Sequence, residues 1–311
     1  MSLFSYLIVL VLLSVIGNLF VIVSLLSNKK TRSAFDSFII NICILDFLIG
    51  AFLKSSFVIE DYFEGQQIND THCYFMTTLM TAAPTMVLMT LVTLLFYMIF
   101  SSIKKVRIEK LLSPETSFVI IFMMWFLIGG VHLIYHKVFG TYGSICAVED
   151  DILSTTVYCN LTLMIIVLMQ MFGIFIIESI KKASDAINLR RPEAVYNNLT
   201  IEINNNSVDT EDIDGRLRKL IYVQSILFLL FWIPFYAIRA QYMFDKKTHS
   251  LDLIVLQLFF YVIGYFRSAV APIAVLIVYP ESRYLIRKIK EIDYKKITKV
   301  FAKSEIDAIP A

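Results

Sequence analysis

The sequence predicts an all-α membrane protein: a bundle of seven transmembrane helices, followed by an amphipathic helix along the inner surface. Three observations carry that prediction. The chain has 311 residues, 58% hydrophobic and only 17% charged, with mean hydropathy +0.71, which is too apolar for a soluble globule of this length. A span needs roughly 20 mostly apolar residues. Seven runs meet that need: about 3–26, 36–59, 74–102, 117–137, 155–180, 218–243 and 252–279. The connections between them alternate in charge. In lipid every backbone polar group must be satisfied within its own segment, so helices follow from the hydropathy. Residues 1–280 read as one bundle, and 281–311 as a cytoplasmic helix and tail.

Charge sets the orientation. The first connection carries Lys29, Lys30 and Arg32, and the third carries Lys104, Lys105, Arg107 and Lys110. The fifth carries Lys181, Lys182, Arg190, Arg191, Arg216, Arg218 and Lys219. The second instead holds Glu60, Asp61, Glu64 and Asp70, and the fourth holds Glu149, Asp150 and Asp151. The positive-inside bias puts the odd connections and the tail in the cytoplasm and the N-terminus outside. With no charge before it and two lysines after it, the first span is expected to be its own insertion signal.

Each span has its own polar punctuation. The first contains Gly17-Asn18, and a mid-span amide tends to face a helix partner. The second contains Asn41 and Asp46; an ionisable residue at that depth marks a functional position. Lys54, two turns further out, either snorkels to the outer interface or lines a cavity. The third opens at Cys73 and carries Pro84, a kink signal. The fourth has Trp125, Gly129-Gly130 and His132, with no second His or Cys at metal-ligand spacing. The fifth carries Gln170 and ends near Glu178. In the sixth, Phe228, Trp232, Phe235 and Arg239 fall on one face beside Pro234. In the seventh, Gln257 and Tyr261 are i,i+4 near the outer end, and Arg267 precedes Pro272.

Of the four cysteines, Cys43 lies within a span, while Cys73, Cys146 and Cys159 sit toward the oxidising side. Cys73 is expected to pair with Cys146, with Cys159 the alternative and unpaired thiols the third reading. Asn69-Asp70-Thr71 faces outward as a glycosylation pattern, whereas Asn160-Leu161-Thr162 lies too close to the bilayer.

In order and at matching depths, these parts resemble a rhodopsin-like (class A) G-protein-coupled receptor. The resemblance rests on Gly17-Asn18, the LDFL around Asp46, Cys73, Trp125, Phe228–Trp232–Pro234, Pro272 and Tyr279-Pro280-Glu281-Ser282-Arg283-Tyr284. The last stretch is similar to that family's amphipathic eighth helix. The departures are equally specific. Where the family has Asp-Arg-Tyr this chain has Tyr97-Met98-Ile99, so Asp214 lacks the arginine of the inactive-state latch. NPxxY reads Ala271-Pro272-Ile273-Ala274-Val275. Met80 stands where amine receptors place an aspartate, which disfavours an aminergic ligand. Arg267 stands where a small polar residue commonly sits near a bound sodium ion. It is expected to reach Asp46 and take that cation's place, while Ala83 and Val87 offer no oxygen ligands.

The resemblance implies a plasma-membrane receptor for an extracellular ligand, coupled to a heterotrimeric G protein. Candidate ligand contacts are Lys54, Met80, Phe235, Arg239, Gln257 and Tyr261, and the two cations favour an acidic ligand. A peptide or small chemosensory ligand stays open, since the divergent motifs resemble those of lineage-expanded invertebrate chemoreceptors. The transducer face is expected around Tyr97, Met98, Lys104, Arg216 and Lys219, on a basic rim that also suits anionic lipid. A non-coupling scaffold or decoy is the alternative. A channel or transporter is disfavoured by few intramembrane charges and no repeated halves. No enzyme constellation, metal site, cofactor or nucleic-acid partner is expected.

Overall fold

A computed structural model of the chain describes residues 3–28, 33–53, 70–104, 112–139, 150–189, 208–244, 251–289 and 291. Seven long helices follow one another. α1 is Leu3–Ser27, and α2 is Ala34–Leu48, continued by a π-helical segment, Ile49–Leu53. α3 is Asp70–Lys104. α4 runs in three sections: Pro114–Met124, a π-helical Trp125–Gly129 and Gly130–Phe139. α5 is Asp150–Leu189, α6 Val208–Phe244 and α7 Leu251–Val278. A 3₁₀ turn, Pro280–Arg283, then leads into the short α8, 284–289.

By length and hydropathy six of these helices contain a span, and the bent pair Val262–Val278 with Pro280–Ile289 makes a seventh where it is counted as one span. The bend is 94°, at the Tyr279-Pro280 step, where the sequence turns from apolar to basic and amphipathic. α5 and α6 run well past the expected limits of 180 and 218, because helical hydrogen bonding does not stop at the edge of the lipid. In the second span, 54–59 lie outside the described residues.

Helix contacts fix the arrangement. α1 packs on α2 and α7, α6 on α5 and α7, and α4 on α2 and α3. α3 touches α2, α4, α5 and α6, so it runs through the middle of the ring. Its inward side, Leu88, Leu91, Leu95 and Met98, meets Phe35 and Phe38 of α2 in the main apolar core. Phe118, Phe122, Phe126, Phe172 and Phe175 of α4 and α5 face outward, as lipid-facing residues must.

The helix ends around Asp36 are closed by local chemistry. Ser33 and Asp36 form a capping box: Ser33 N–H donates to Asp36 Oδ2 at 2.8 Å, and Asp36 N–H donates to Ser33 Oγ at 3.3 Å. Pro114 sits at the start of α4 behind its cap Ser113. Tyr279 Oη donates to Asp36 Oδ1 at 2.9 Å, tying the end of α7 to the start of α2.

Small residues set how closely α1 approaches its neighbours. A Cβ on Gly17 would lie 2.9 Å from Pro272 Cγ of α7, and one on Gly50 would strike the Ser14 side chain. A Cβ on Gly173 of α5 would meet nothing within 4 Å. Gly17→Ala is therefore expected to destabilise the bundle by about 1–3 kcal/mol through overpacking. Gly173→Ala should be neutral or stabilise by up to about 1 kcal/mol through helix propensity. Melting of the two purified variants in one detergent checks this; equal shifts would contradict it.

Candidate functional site

The polar heart of the bundle is assembled by backbone defects in α2 and α7. Pro272 has no N–H, so the carbonyl of Ser268 one turn back loses its helical partner. Asn18 of α1 fills the gap: its Nδ2 donates to Ser268 O at 2.9 Å and to Ser14 O at 2.7 Å. In α2 the passage into the π-helical segment shifts the hydrogen-bond register at Asp46 O, and Ser14 Oγ donates to that carbonyl at 3.1 Å. Gly17 and Gly50 allow the approach these bonds require. The three helices are thereby locked in rotation as well as in distance.

That rotation points two opposite charges at each other. Arg267 Nη1 donates to Asp46 Oδ1 at 2.6 Å, with the side chains only 2% and 1% exposed. Arg267 Nη2 donates to Gln224 Oε1 of α6 at 3.3 Å, and Gln224 Nε2 donates to Ala271 O at 3.1 Å. The guanidinium also lies over the Phe228 ring, its Cζ 5.3 Å from the centroid. One arginine on α7 thus touches α2 through charge and α6 through both an amide and an aromatic face.

The aromatic chain continues outward along α6. Phe228 stacks on Trp232, with centroids 6.2 Å apart and planes at 23°. Trp232 meets Phe235 edge-on at 5.8 Å and Tyr236 at 5.6 Å. Phe228, Trp232, Phe235 and Arg239 are all buried, as one face of the helix requires, and Pro234 lies among them inside α6. Tyr236 Oη accepts from Asn160 Nδ2 of α5 at 3.0 Å. Asn160 is fully buried, which removes it as a glycosylation acceptor.

The other expected site residues are distributed between the core, the surface and the residues outside the description. Met98, expected at the transducer face, is 0% exposed and packs in the main core, as a side chain with no charge to solvate does. Tyr97 beside it is half-buried and Lys104 is exposed. Lys219 is exposed, whereas Arg216 donates to Glu281 at 3.3 Å. Ala83 and Val87 are buried, and both are apolar. Met80, Gln257 and Tyr261 lie in α3 and α7, and Cys73 in the first turn of α3, but their side chains fall outside the described residues. Lys54, Asn69 and Cys146 lie outside them altogether. Cys43 is a buried thiol and Cys159 an exposed one, both free.

Four partnerships escape a reading of residues one span at a time. Asn41 accepts from Trp125 Nε1 at 2.7 Å and donates to Thr90 Oγ1 at 3.0 Å, joining α2, α3 and α4. Trp125 is thus a hydrogen-bonding anchor as well as a packing residue. His132 contacts the Ile128 carbonyl at 2.8 Å. Gln224 was passed over inside an apolar run, though its i,i+4 spacing to Phe228 was a usable signal. Asp36 and the inner-rim partners of Arg218 were also missed.

Seven helices with α3 in their midst, a proline inside each of α6 and α7, and a charged core linking α2 to both define a seven-helix membrane bundle. A family model described as 7 transmembrane receptor (rhodopsin family) matches residues 17–274, and the chain belongs to that family. No curated protein matches it.

The buried pair yields a test of its energetics. Arg267→Met alone should cost about 3–5 kcal/mol, because Asp46 is left buried without its counter-charge, and Asp46→Leu should cost a similar amount. The double variant is expected within about 1 kcal/mol of wild type, since two apolar side chains need no desolvation. Denaturation of the four proteins in matched micelles measures the coupling. Additive costs would show that the charges do not depend on each other.

Proposed function

We propose that this receptor sits in the plasma membrane with its N-terminus outside and transmits binding of an extracellular ligand to a heterotrimeric G protein. The observation that carries this reading is the Arg267 network, which couples α2, α6 and α7 at one point. A ligand that displaced the Trp232 end of the aromatic chain would act on Phe228, and through its ring on the guanidinium. The bundle would then exchange between two packings of the same helices, biased by differential ligand contacts. The ligand site we propose is the outer region bounded by Lys54, Met80, Phe235, Arg239, Gln257 and Tyr261. Its two cations favour a carboxylate or other acidic group. A Cys73–Cys146 disulfide and glycosylation of Asn69 belong to the same proposal for the outer face.

In this proposal Arg267 is a tethered cation in the place of an exchangeable one. Replacing sodium with choline at equal ionic strength should leave the melting temperature of the unliganded wild type unchanged. Arg267→Asn removes the tethered charge, and sodium should then stabilise the variant relative to choline, as any ligand specific to the folded state does. An equal sodium response in both proteins would sink the idea.

One observation favours a second reading, a non-coupling scaffold or decoy: Met98 is apolar and buried where the resembled pattern has its transducer-facing arginine. A ligand-free nucleotide-exchange screen of wild type and Met98→Arg separates the two. Exchange by the wild type supports coupling and excludes the scaffold. Exchange only by the variant means intact machinery that is silenced at this position. No exchange by either favours the scaffold.

A further inference from the structure

α3 is enclosed by its neighbours along most of its length and then emerges. From Thr81 to Leu95 none of its residues is exposed, whereas Phe96 is 56% exposed, Phe100 40% and Ile103 62%. α3 ends and α4 begins at this same end of the bundle. Among the described residues α5 packs on the far section of α4, Gly130–Phe139, while Pro114–Met124 packs on α2 and α3. That near section buries only Ser117 and Met124. The two outer helices therefore stand apart beside the end of α3, and α3 forms the floor of the cleft between them. The floor is one helical stripe, Met89, Thr93, Phe96, Phe100 and Lys104. Thr93 Oγ1 donates back to Met89 O at 2.9 Å, so the stripe presents no spare hydroxyl donor. From Phe96 to Lys104 it runs about 12 Å, most of the roughly 15 Å depth of one leaflet's hydrocarbon.

The mouth of the cleft is cationic. Lys104 Nζ lies over the Phe100 ring, 5.9 Å from its centroid, so charge and floor are continuous. Arg218 of α6 sets the ends of α3 and α5 side by side. Its Nη1 donates to Ser102 Oγ at 2.9 Å and to Glu178 Oε1 at 3.2 Å, and its Nη2 to Ser101 Oγ at 3.2 Å. Glu178 thus has its counter-charge. Lys104 follows just after Ser102, and Lys181 and Lys182 one turn after Glu178; all three are exposed. Among the described residues no carboxylate pairs with any of them. We propose that this cleft is a binding site for one anionic phospholipid. An acyl chain lies along Phe96 and Phe100 between α4 and α5, and the headgroup phosphate takes Lys104 with Lys181 and Lys182. The apolar floor suits a hydrocarbon chain, and the three lysines select a negative headgroup over a zwitterionic one. Only the choice of leaflet rests on the orientation proposed above, which makes it the cytoplasmic one.

The test uses delipidated full-length protein in mixed micelles, with no G protein present, so its outcome is separate from coupling. Phosphatidylglycerol and phosphatidylcholine with identical chains, each carrying a photoreactive diazirine on one chain, are titrated in turn. Native mass spectrometry counts the retained lipid, and peptide mapping locates the crosslink. Phosphatidylglycerol should saturate at one per chain and label α3 around Phe96–Phe100, with an affinity on the order of 10–100-fold above that of phosphatidylcholine. Lys104→Gln should weaken phosphatidylglycerol about 5-fold and leave phosphatidylcholine unchanged. The Phe96→Ala/Phe100→Ala variant should weaken it on the order of 3-fold through lost chain contacts. Lys288→Gln on α8, equally exposed but on an element that packs elsewhere, should leave the α3 crosslink at its wild-type level. Equal retention of the two lipids, or crosslinks confined to other helices, would overturn the site. So would wild-type affinity in the double phenylalanine variant, which would mean attraction to a basic rim and no cleft. A dimer that excludes the lipid and that Phe96→Ala/Phe100→Ala converts to monomer would assign the surface to a second copy of the chain and overturn the proposal as well.

Discussion

The bundle depends on one contact, the 2.6 Å bond between Arg267 and Asp46. Neither charge is tolerable alone at that depth, where an ionised side chain away from water costs several kcal/mol even after relaxation. Together they leave a neutral unit, and what they gain is mainly specificity. Arg267 reaches Asp46 only when α7 is rotated so that Ser268 and Pro272 face α1. The same rotation brings Gln224 to the second guanidinium nitrogen and Phe228 under its face. A one-residue shift in the register of α7 would turn the arginine by about 100° and lose all of these at once.

Around that contact, the protein meets the constraint of a bundle in lipid, where exclusion of water does not press one helix on another. Close approach and hydrogen bonding do so instead. Gly17 and Gly50 bring α1 near enough for Ser14 and Asn18 to reach carbonyls on α2 and α7. Those carbonyls lie at Pro272 and at the π-helical passage, the places where α7 and α2 depart from regular bonding. Local irregularity and interhelical adhesion are therefore the same feature. A regular α7 would offer Asn18 no carbonyl short of a partner.

How much of this was legible in the sequence follows from how isolated each signal was. Seven spans were readable because hydropathy is a long-window property. Asp46 and Arg267 were readable as partners because charges inside spans are rare, leaving few possible matches. Gln224 was not, since an amide among many apolar residues does not announce a partner 43 positions away. Trp125 and Asn41, separated by 84, were each noticed but not joined. The contacts of Arg218 were not legible for another reason. A basic residue at the inner rim looks like lipid contact, and only the packing of three helices turns it toward Ser101, Ser102 and Glu178.

The two charged clusters differ in a way that bears on how the receptor moves. In the core the arginine is on α7, is almost wholly buried and reaches both α2 and α6. At the rim it is on α6, is partly solvated and reaches α3 and α5. A buried guanidinium cannot separate from its carboxylate without leaving both charges exposed to a low-dielectric interior, so the core pair must move as a unit. A rim guanidinium can exchange its acceptors for water at small cost. Separation is therefore cheap at the inner end of α6 and expensive at its middle.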